Sequence, residues 1–430
     1  TSFIEQNLRA SRRQADKTSQ RKHLGSILKW LPWQLSIFND APIGARSERN
    51  MTVGIYFSLK YINRHFRLAK QIQIAPFPCG KIRPYHAQGA PMIFCNARIL
   101  SAPLTGIQRY TLEILKHAPA TVRTIKPEVA FAGRLGHVWE QTILPLHARG
   151  HLLWSPGGTG PMHVARQVVT VHDIAPVDHS MGYSPAFRRW YGFVWRRLLP
   201  RARGLIAVSE FTKQRLIDEF KISAERIHVT HLGVDHARFF PQPANKVEAL
   251  RRKLSLPENF ALFVGLLSAR KNIVRLVEAW RDCRVPDCHL VIAGGLGMPH
   301  VLAGTSSPSV PDNTLLLDRI DDADLPTLIS AARVFVYPSL YEGFGLPPIE
   351  AMACGTPCLV TNTTAVPEVV GDAALYIDPL DVSDIGQGLS RILTDTSLRQ
   401  ALRAKGLEHA AKFTWHDTAV RTYAILERYA

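Results

Sequence analysis

Two carboxylates, Glu342 and Glu350, stand with seven residues between them in a stretch whose other residues are suited to holding an anion. Gly343 and Gly345 let the backbone come close to a ligand, and Pro347 and Pro348 suit the first turn of a helix. A helix N-terminus presents N–H groups and the positive end of its dipole, so a phosphate is expected there. Glu342 precedes this point and Glu350 is expected within the first turn of the helix, so the two carboxylates address different parts of one extended ligand. Hydroxyl-rich groups on either side of a diphosphate fit that division. The plainer alternative is a pair of solvated or capping glutamates.

A second cluster follows an apolar run ending near Val264. It comprises Gly265 and then Arg270, Lys271 and Asn272. Two cations at a helix start oppose the macrodipole, which favours negative charge there. A bound polyanion removes the conflict, which makes Arg270 and Lys271 candidate diphosphate ligands. Two further candidates lie earlier in the chain. Gly106 falls in the loop Thr105 to Tyr110, which opens a helix, and His172 with Asp173 ends a run of apolar residues.

These residues need a scaffold that brings strand ends together. From Pro91 onward, short apolar runs alternate with amphipathic stretches, the pattern of parallel strands joined by crossover helices. Strands are expected at 92–97, 151–154, 168–171 and 205–208, then at 261–264, 290–293, 314–317, 334–337, 358–360 and 375–377. Helices are expected near 107–117, 185–199 and 210–220, between the later strands, and throughout the chain after Leu380. The turn-rich stretch 240–245 reads as a linker. The fold class is therefore α/β, with two Rossmann-like doubly wound domains facing an interdomain cleft. The domains are read as 91–243 and 244–412, with a last helix at 413–430 that packs back on the first domain. Ligands of such sheets bind at the carboxyl ends of the strands, where every candidate above is found.

The chain has 430 residues, 46% of them hydrophobic, which supports large cores and excludes a wholly disordered chain. Its formal charge is +17, of which residues 1–90 contribute +11, from fifteen Lys/Arg against four Asp/Glu. Those ninety residues show no sustained period and read as a poorly ordered basic extension. Six cysteines match no zinc spacing and read as reduced core thiols. No run of about 20 apolar residues and no signal-peptide pattern is present, so a cytoplasmic location is expected. The basic, aromatic stretch 187–203 adds the expectation of peripheral contact with an anionic membrane at its inner face. A nucleic-acid-binding protein is the rival from another class, since the same charge attracts phosphates. Inward-packed aromatics on an amphipathic helix account for the stretch without one.

The motifs taken together resemble the family 4 retaining glycosyltransferases, which have the GT-B fold. Glu342 and Glu350 carry the family's Glu-seven-residues-Glu motif, continuing through Gly355, Thr356 and Pro357 to Val366, Pro367 and Glu368. Arg270 to Asn272, Thr105 to Tyr110, His172 with Asp173, Val208 to Thr212 and Leu232 to Asp235 also match. The resemblance covers about residues 91–430, and the extension before it is foreign to the pattern. It implies that Arg270 and Lys271 bind the diphosphate of a nucleotide sugar and Glu350 the ribose hydroxyls. Glu342, with the backbone of Phe344 to Leu346, would hold the donor sugar. His172 would contact that sugar across the cleft, and Gly106 would let the first domain close. Gly265 and Gly343 join the donor loops. Where relatives often have glycine before the base-contacting turn, this chain has Asp318, followed by Arg319. A carboxylate accepts both N–H donors on guanine's edge, which favours a GDP-sugar such as GDP-mannose. Alternatively, Asp318 faces solvent and Arg319 contacts the base through its backbone, with no preference. The implied acceptor is a lipid-linked or surface saccharide, and neither a metal nor a cofactor is expected. An epimerase or phosphorylase of the same fold is the closest alternative.

Overall fold

A computed structural model describes residues 92–102, 104–127, 134–179, 181–283, 285–294 and 310–430. The basic extension lies outside the described residues, as does Cys79. Two six-stranded parallel sheets organise the rest. The first contains β1 (Ile93–Asn96), β2 (Val122–Ile125), β3 (Leu152–Ser155), β4 (Gln167–Val171), β5 (Gly204–Ala207) and β6 (Ile227–Val229), in the spatial order β2-β1-β3-β4-β5-β6. The second contains β7 (Phe260–Val264), β8 (His289–Ala293), β9 (Thr314–Leu317), β10 (Val334–Tyr337), β11 (Cys358–Thr361) and β12 (Leu375–Ile377), in the order β12-β11-β10-β7-β8-β9. The inner strands are buried at every position in β3, β4, β5, β10 and β11, because helices cover both faces of a parallel sheet. Strand order reverses between β1 and β3 in one sheet and between β7 and β10 in the other. Those are the crevices where such sheets bind ligands.

The α/β, doubly wound reading holds, and four details differ from the sequence expectation. Strands β2 and β6 were not anticipated: both are sheet edges, and β2 buries only Val122 fully while Arg123 and Thr124 are exposed. Short helices at Arg134–Thr142, Leu144–His147 and Ala175–Asp178 were also unanticipated. The basic aromatic helix Pro185–Leu198 stops at Leu198, so Arg201 and Arg203 lie in the turn before β5. The stretch read as a linker is tied down: Phe239 is buried and the Gln242 amide donates to Ser330 Oγ at 3.2 Å.

The last helix, Trp415–Tyr429, lies against the first sheet's helix Gly106–Lys116. Tyr423 donates its hydroxyl to the Ile114 carbonyl at 3.0 Å, and Tyr429 Oη is 2.8 Å from His228 Nε2. The chain crosses between the sheets near 230–243 and again near 411–414, and the two crossings touch. Val234 bridges Thr414, and a Cβ on Gly233 would sit 2.2 Å from the Trp415 nitrogen, so only glycine allows that approach. The five described cysteines are free and buried, and burial pushes the Cys354 thiol up to about 12.

Candidate active site

The loop after β7 turns through a short 3-10 segment, Ala269–Lys271, before Asn272 caps the helix Ile273–Asp282 in the left-handed region (φ 61°). Asn272 Nδ2 donates to the carbonyls of Pro338 (3.1 Å) and Pro379 (2.6 Å), which fastens this turn to the loops after β10 and β12. Arg270 and Lys271 therefore sit on the turn itself, ahead of the helix, and face Glu342. Lys271 Nζ is 2.7 Å from Glu342 Oε1, and Arg270 Nη1 is 3.1 Å from Oε2. Lys271 also donates to Tyr337 Oη at 2.6 Å, and Arg270 to the Tyr341 carbonyl at 2.6 Å. Both Lys271 and Glu342 are buried, with 9% and 7% of their surface exposed. Burial pushes the Glu342 carboxyl up, but Lys271 and Arg270 outweigh it and hold the group below its ordinary 4.5. Burial, with Arg270 adjacent, lowers the Lys271 ammonium.

Glu342 opens the glycine loop that leads into the helix Leu346–Ala353. Gly345 caps that helix with φ 104°, a conformation that L side chains rarely adopt. Pro347 and Pro348 have no N–H, so the amides of Phe344 to Leu346 and the helix dipole make the anion-facing surface. Phe344 is buried, and its ring lies near His231 and Phe413. Gly343 carries the contact between the two sheets' loops. Its carbonyl accepts from Ser209 Oγ (2.6 Å) and Thr212 Oγ1 (3.1 Å), and its α-carbon lies directly against the backbone of His172. Beside it, Glu368 accepts the amides of Glu210 and Phe211 at 2.7 and 3.0 Å. It thereby caps a helix of the opposite half, Glu210–Phe220, while also 2.8 Å from His231 Nε2.

His172 ends β4 on the other side of this contact. Its Nε2 donates to the Pro156 carbonyl at 2.8 Å, its ring meets Tyr110 edge-on, and burial lowers it to about 4. The imidazole is thus neutral at physiological pH with Nδ1 left as an acceptor. Asp173 follows it, accepting the Ala175 amide at 2.9 Å, and burial raises its carboxyl despite Arg270.

Glu350 occupies the fifth position of its helix, in the second turn and not the first as the spacing suggested, because the helix begins at Leu346. Its Oε1 is 4.0 Å from Arg109 Nη1, and Arg109 is also 2.7 Å from Asp322 Oδ2. Burial raises the Glu350 carboxyl, against the pull of Arg109 and Arg238. Glu342 and Glu350 thus face different neighbours.

Two sequence families match the chain: glycosyltransferase family 4 over residues 105–238 and glycosyl transferases group 1 over residues 246–409. Among curated proteins, O-antigen chain mannosyltransferase B of Escherichia coli is 31% identical over 371 residues, spanning 74% of this chain and 95% of that one. The chain belongs to glycosyltransferase family 4. The MMP alpha-(1->4)-mannosyltransferase of Mycolicibacterium hassiacum is 30% identical over 63% of this chain and 68% of its own. The solved structure of Anabaena HepE with UDP and glucose superposes with a TM-score of 0.63 at 17% identity, covering 79% of this chain and all of that one. It shows the shared GT-B architecture.

In this glycosyltransferase the structure brings Arg270, Lys271, Glu342, Gly343 and His172 into one place. Gly345 and Leu346 stand at the adjoining helix start, and Leu346 is the nearest side chain to the position of a Gly106 Cβ, at 3.9 Å. Gly265 packs beside Phe263 and Lys271. Arg319 is not drawn into the cluster; like Asp318 it is exposed just beyond β9. Asp173, Arg109, Ser209 and Thr212 lie in or beside stretches already singled out, but the sequence assigned none of them a contact of its own. Asp322 also ties the halves together, pairing with Arg109 and with Arg238.

Proposed function

We propose that this glycosyltransferase retains anomeric configuration while moving mannose from a nucleotide diphosphate to a lipid-linked or surface-polysaccharide saccharide. The observation that carries the reading is the pair of cations at 2.7 and 3.1 Å from Glu342, set across Gly343 from the neutral His172. When the bond from the anomeric carbon to the diphosphate breaks, negative charge grows on the leaving oxygen. Arg270, Lys271 and the helix start are aimed to meet it, supplying charge without a metal or cofactor. The acceptor oxygen bonds to the same face of that carbon, and its proton passes to the departing phosphate oxygen. Glu342 orients the sugar and balances the cations; Glu350 takes the ribose. The mannosyltransferase names of both relatives support the sugar, and the O-antigen name of the first supports the acceptor class. A GDP-sugar is favoured by the carboxylate of Asp318. Calorimetric titration with GDP and UDP, followed by product analysis with labelled GDP-mannose, tests it. Tighter GDP binding and label in an acceptor alcohol are expected; tighter UDP binding sinks the donor assignment, and label confined to free nucleotide sugar favours an epimerase.

The same proposal places the enzyme at an anionic membrane face through the helix Pro185–Leu198, which exposes Arg188, Arg196 and Arg197. No described helix is long and apolar enough to cross a membrane. Flotation with liposomes containing anionic lipid is expected to carry the protein, more strongly at low salt. Protein that stays at the bottom with residues 1–90 present rejects the assignment.

A further inference from the structure

The first domain contains a polar and aromatic cluster that donor chemistry does not use, and it is continuous with the catalytic cleft. It starts at the loop after β4. Residues 173–184 leave Asp173, stack the His179 ring on Tyr341 (centroids 5.7 Å apart) and bring Gly182 to the turn that carries Arg270, where a Cβ would meet Ala269 at 4.0 Å. From there three rings follow: Tyr183, just ahead of the N-cap Ser184, then Phe187 and Tyr191, which are four residues apart on one face of the helix Pro185–Leu198. Tyr183 stacks on Phe187 at 5.5 Å with planes 7° apart, and the Phe187 ring meets Tyr191 at 4.4 Å, tilted by 33°. The two centroid spacings carry this wall of rings past the width of a single sugar ring.

The wall ends on a polar group at the carboxyl end of the first sheet. Tyr191 and Trp190 meet the His137 ring at 6.4 and 5.5 Å. His137 Nδ1 lies 3.4 Å from Glu140 Oε2 without forming a hydrogen bond. The other oxygen, Oε1, is held by Asn96 (2.8 Å), Arg98 (3.2 Å) and Thr159 (3.1 Å). Trp190 Nε1 is buried without a hydrogen-bond partner, and His137 Nδ1 and Glu140 Oε2 have only their long, poorly aligned contact with each other. Unpaired buried polar atoms are rare enough to need an explanation, and here one lies beside a weakly matched pair. A hydroxyl both donates and accepts, so an array of hydroxyls serves an acceptor, a donor and an imidazole nitrogen together. The C–H faces of sugar rings suit an aromatic wall.

We propose that Tyr183, Phe187 and Tyr191, with His137, Glu140 and Trp190 at the far end, form the subsite that holds the penultimate and preceding sugars of the acceptor. This rests on the reading of the enzyme as a saccharide-extending transferase. The subsite explains how an acceptor longer than one sugar is measured: its last ring lies at His172 and Glu342, and its earlier rings run along the wall.

The test is transfer from the donor sugar identified above to octyl α-mannoside and octyl α-mannobioside, both soluble without a membrane. The wild-type enzyme is expected to prefer the disaccharide in kcat/KM by about 10-fold, the gain from one well-formed aromatic contact. Tyr191→Ala and His137→Ala are each expected to raise the KM for the disaccharide about 10-fold and to leave the Kd for the nucleoside diphosphate alone, while Tyr191→Phe keeps the wall and the low KM. His137→Ala serves where loss of the Tyr191 ring unfolds the domain, since its side chain is partly exposed. An unchanged disaccharide KM in the His137 variant, with transfer intact, overturns the subsite. The same holds if the variants lose only liposome flotation, which would make the wall a membrane contact. Failure of the wild-type enzyme to bind any nucleoside diphosphate would instead defeat the reading beneath it.

Discussion

Replacing Lys271 with alanine is expected to lower kcat/KM by about 10²–10³, the usual cost of losing one preorganised electrostatic partner of a developing oxyanion. The geometry explains why one ammonium carries so much. Its Nζ is buried between Glu342 Oε1 and Tyr337 Oη, at 2.7 and 2.6 Å, and a water filling the space left by alanine would bring no positive charge. Arg270 cannot substitute for it, because its own Nη1 is already committed to Glu342 Oε2 and the Tyr341 carbonyl. Stability should fall as well. Removing one member of a buried pair costs about 3–5 kcal/mol, and the lower end applies here because Arg270 still faces the carboxylate. The pH dependence separates the two effects. Glu342 has a folded pKa below 4.5, set by Lys271 and Arg270 against the upward push of burial. Its contribution to stability is therefore present above 4.5 and is lost as pH falls through the lower folded value. The Lys271 variant should lose much of that acid-side dependence in thermal melts, and should still lack transfer at pH 7 under conditions where it remains folded. A folded Lys271→Ala enzyme with full kcat/KM would remove the diphosphate from this site.

What the sequence could reveal follows from the range of the interactions involved. The inner strands were legible because burial on both faces demands unbroken apolar runs, as in Val168 to Val171 and Val334 to Tyr337. Strands β2 and β6 were not, because an edge strand needs only one or two buried residues, and the Arg123 and Thr124 side chains resemble those of a loop. Around the site, Arg270, Lys271 and the Glu342 loop were legible because each carries a local conflict or a local signal: two cations at a helix start, or two glycines before two prolines. Asp173, Arg109 and Ser209 fall within stretches that were noticed, but nothing local to them assigns the contacts they make. Ser209 looks like an ordinary N-cap, which it is, accepting the Thr212 amide at 3.0 Å. That its hydroxyl also grips the Gly343 carbonyl depends on how the second half docks, which spacing along the chain does not encode. Glu350 was placed one turn early for a related reason: the left-handed Gly345, and not the carboxylate two residues past the second proline, sets where the helix begins.

The docking itself supplies the second large expected effect, at Gly343. A Cβ built there would lie 1.8 Å from the His172 carbonyl oxygen and 2.8 Å from Asp173 Cβ. The first neighbour is backbone at the end of a fully buried strand, so it cannot swing aside as a flexible side chain would. Gly343→Ala must then push the two loops apart by more than an ångström, a displacement that alone costs about 10² in rate when reacting groups depend on alignment. His172 would move away from the Arg270–Lys271–Glu342 cluster, and the bonds from Ser209 and Thr212 to the Gly343 carbonyl would lengthen or break. Each half keeps its own core, so the melting transition should shift far less than the activity. Small-angle scattering should report a larger radius of gyration for the variant than for the wild type, and transfer should fall about 100-fold. A variant that keeps both the wild-type scattering profile and the wild-type rate would mean that the approach of Gly343 to His172 is not part of the working enzyme, and that the donor cations act without the opposing histidine.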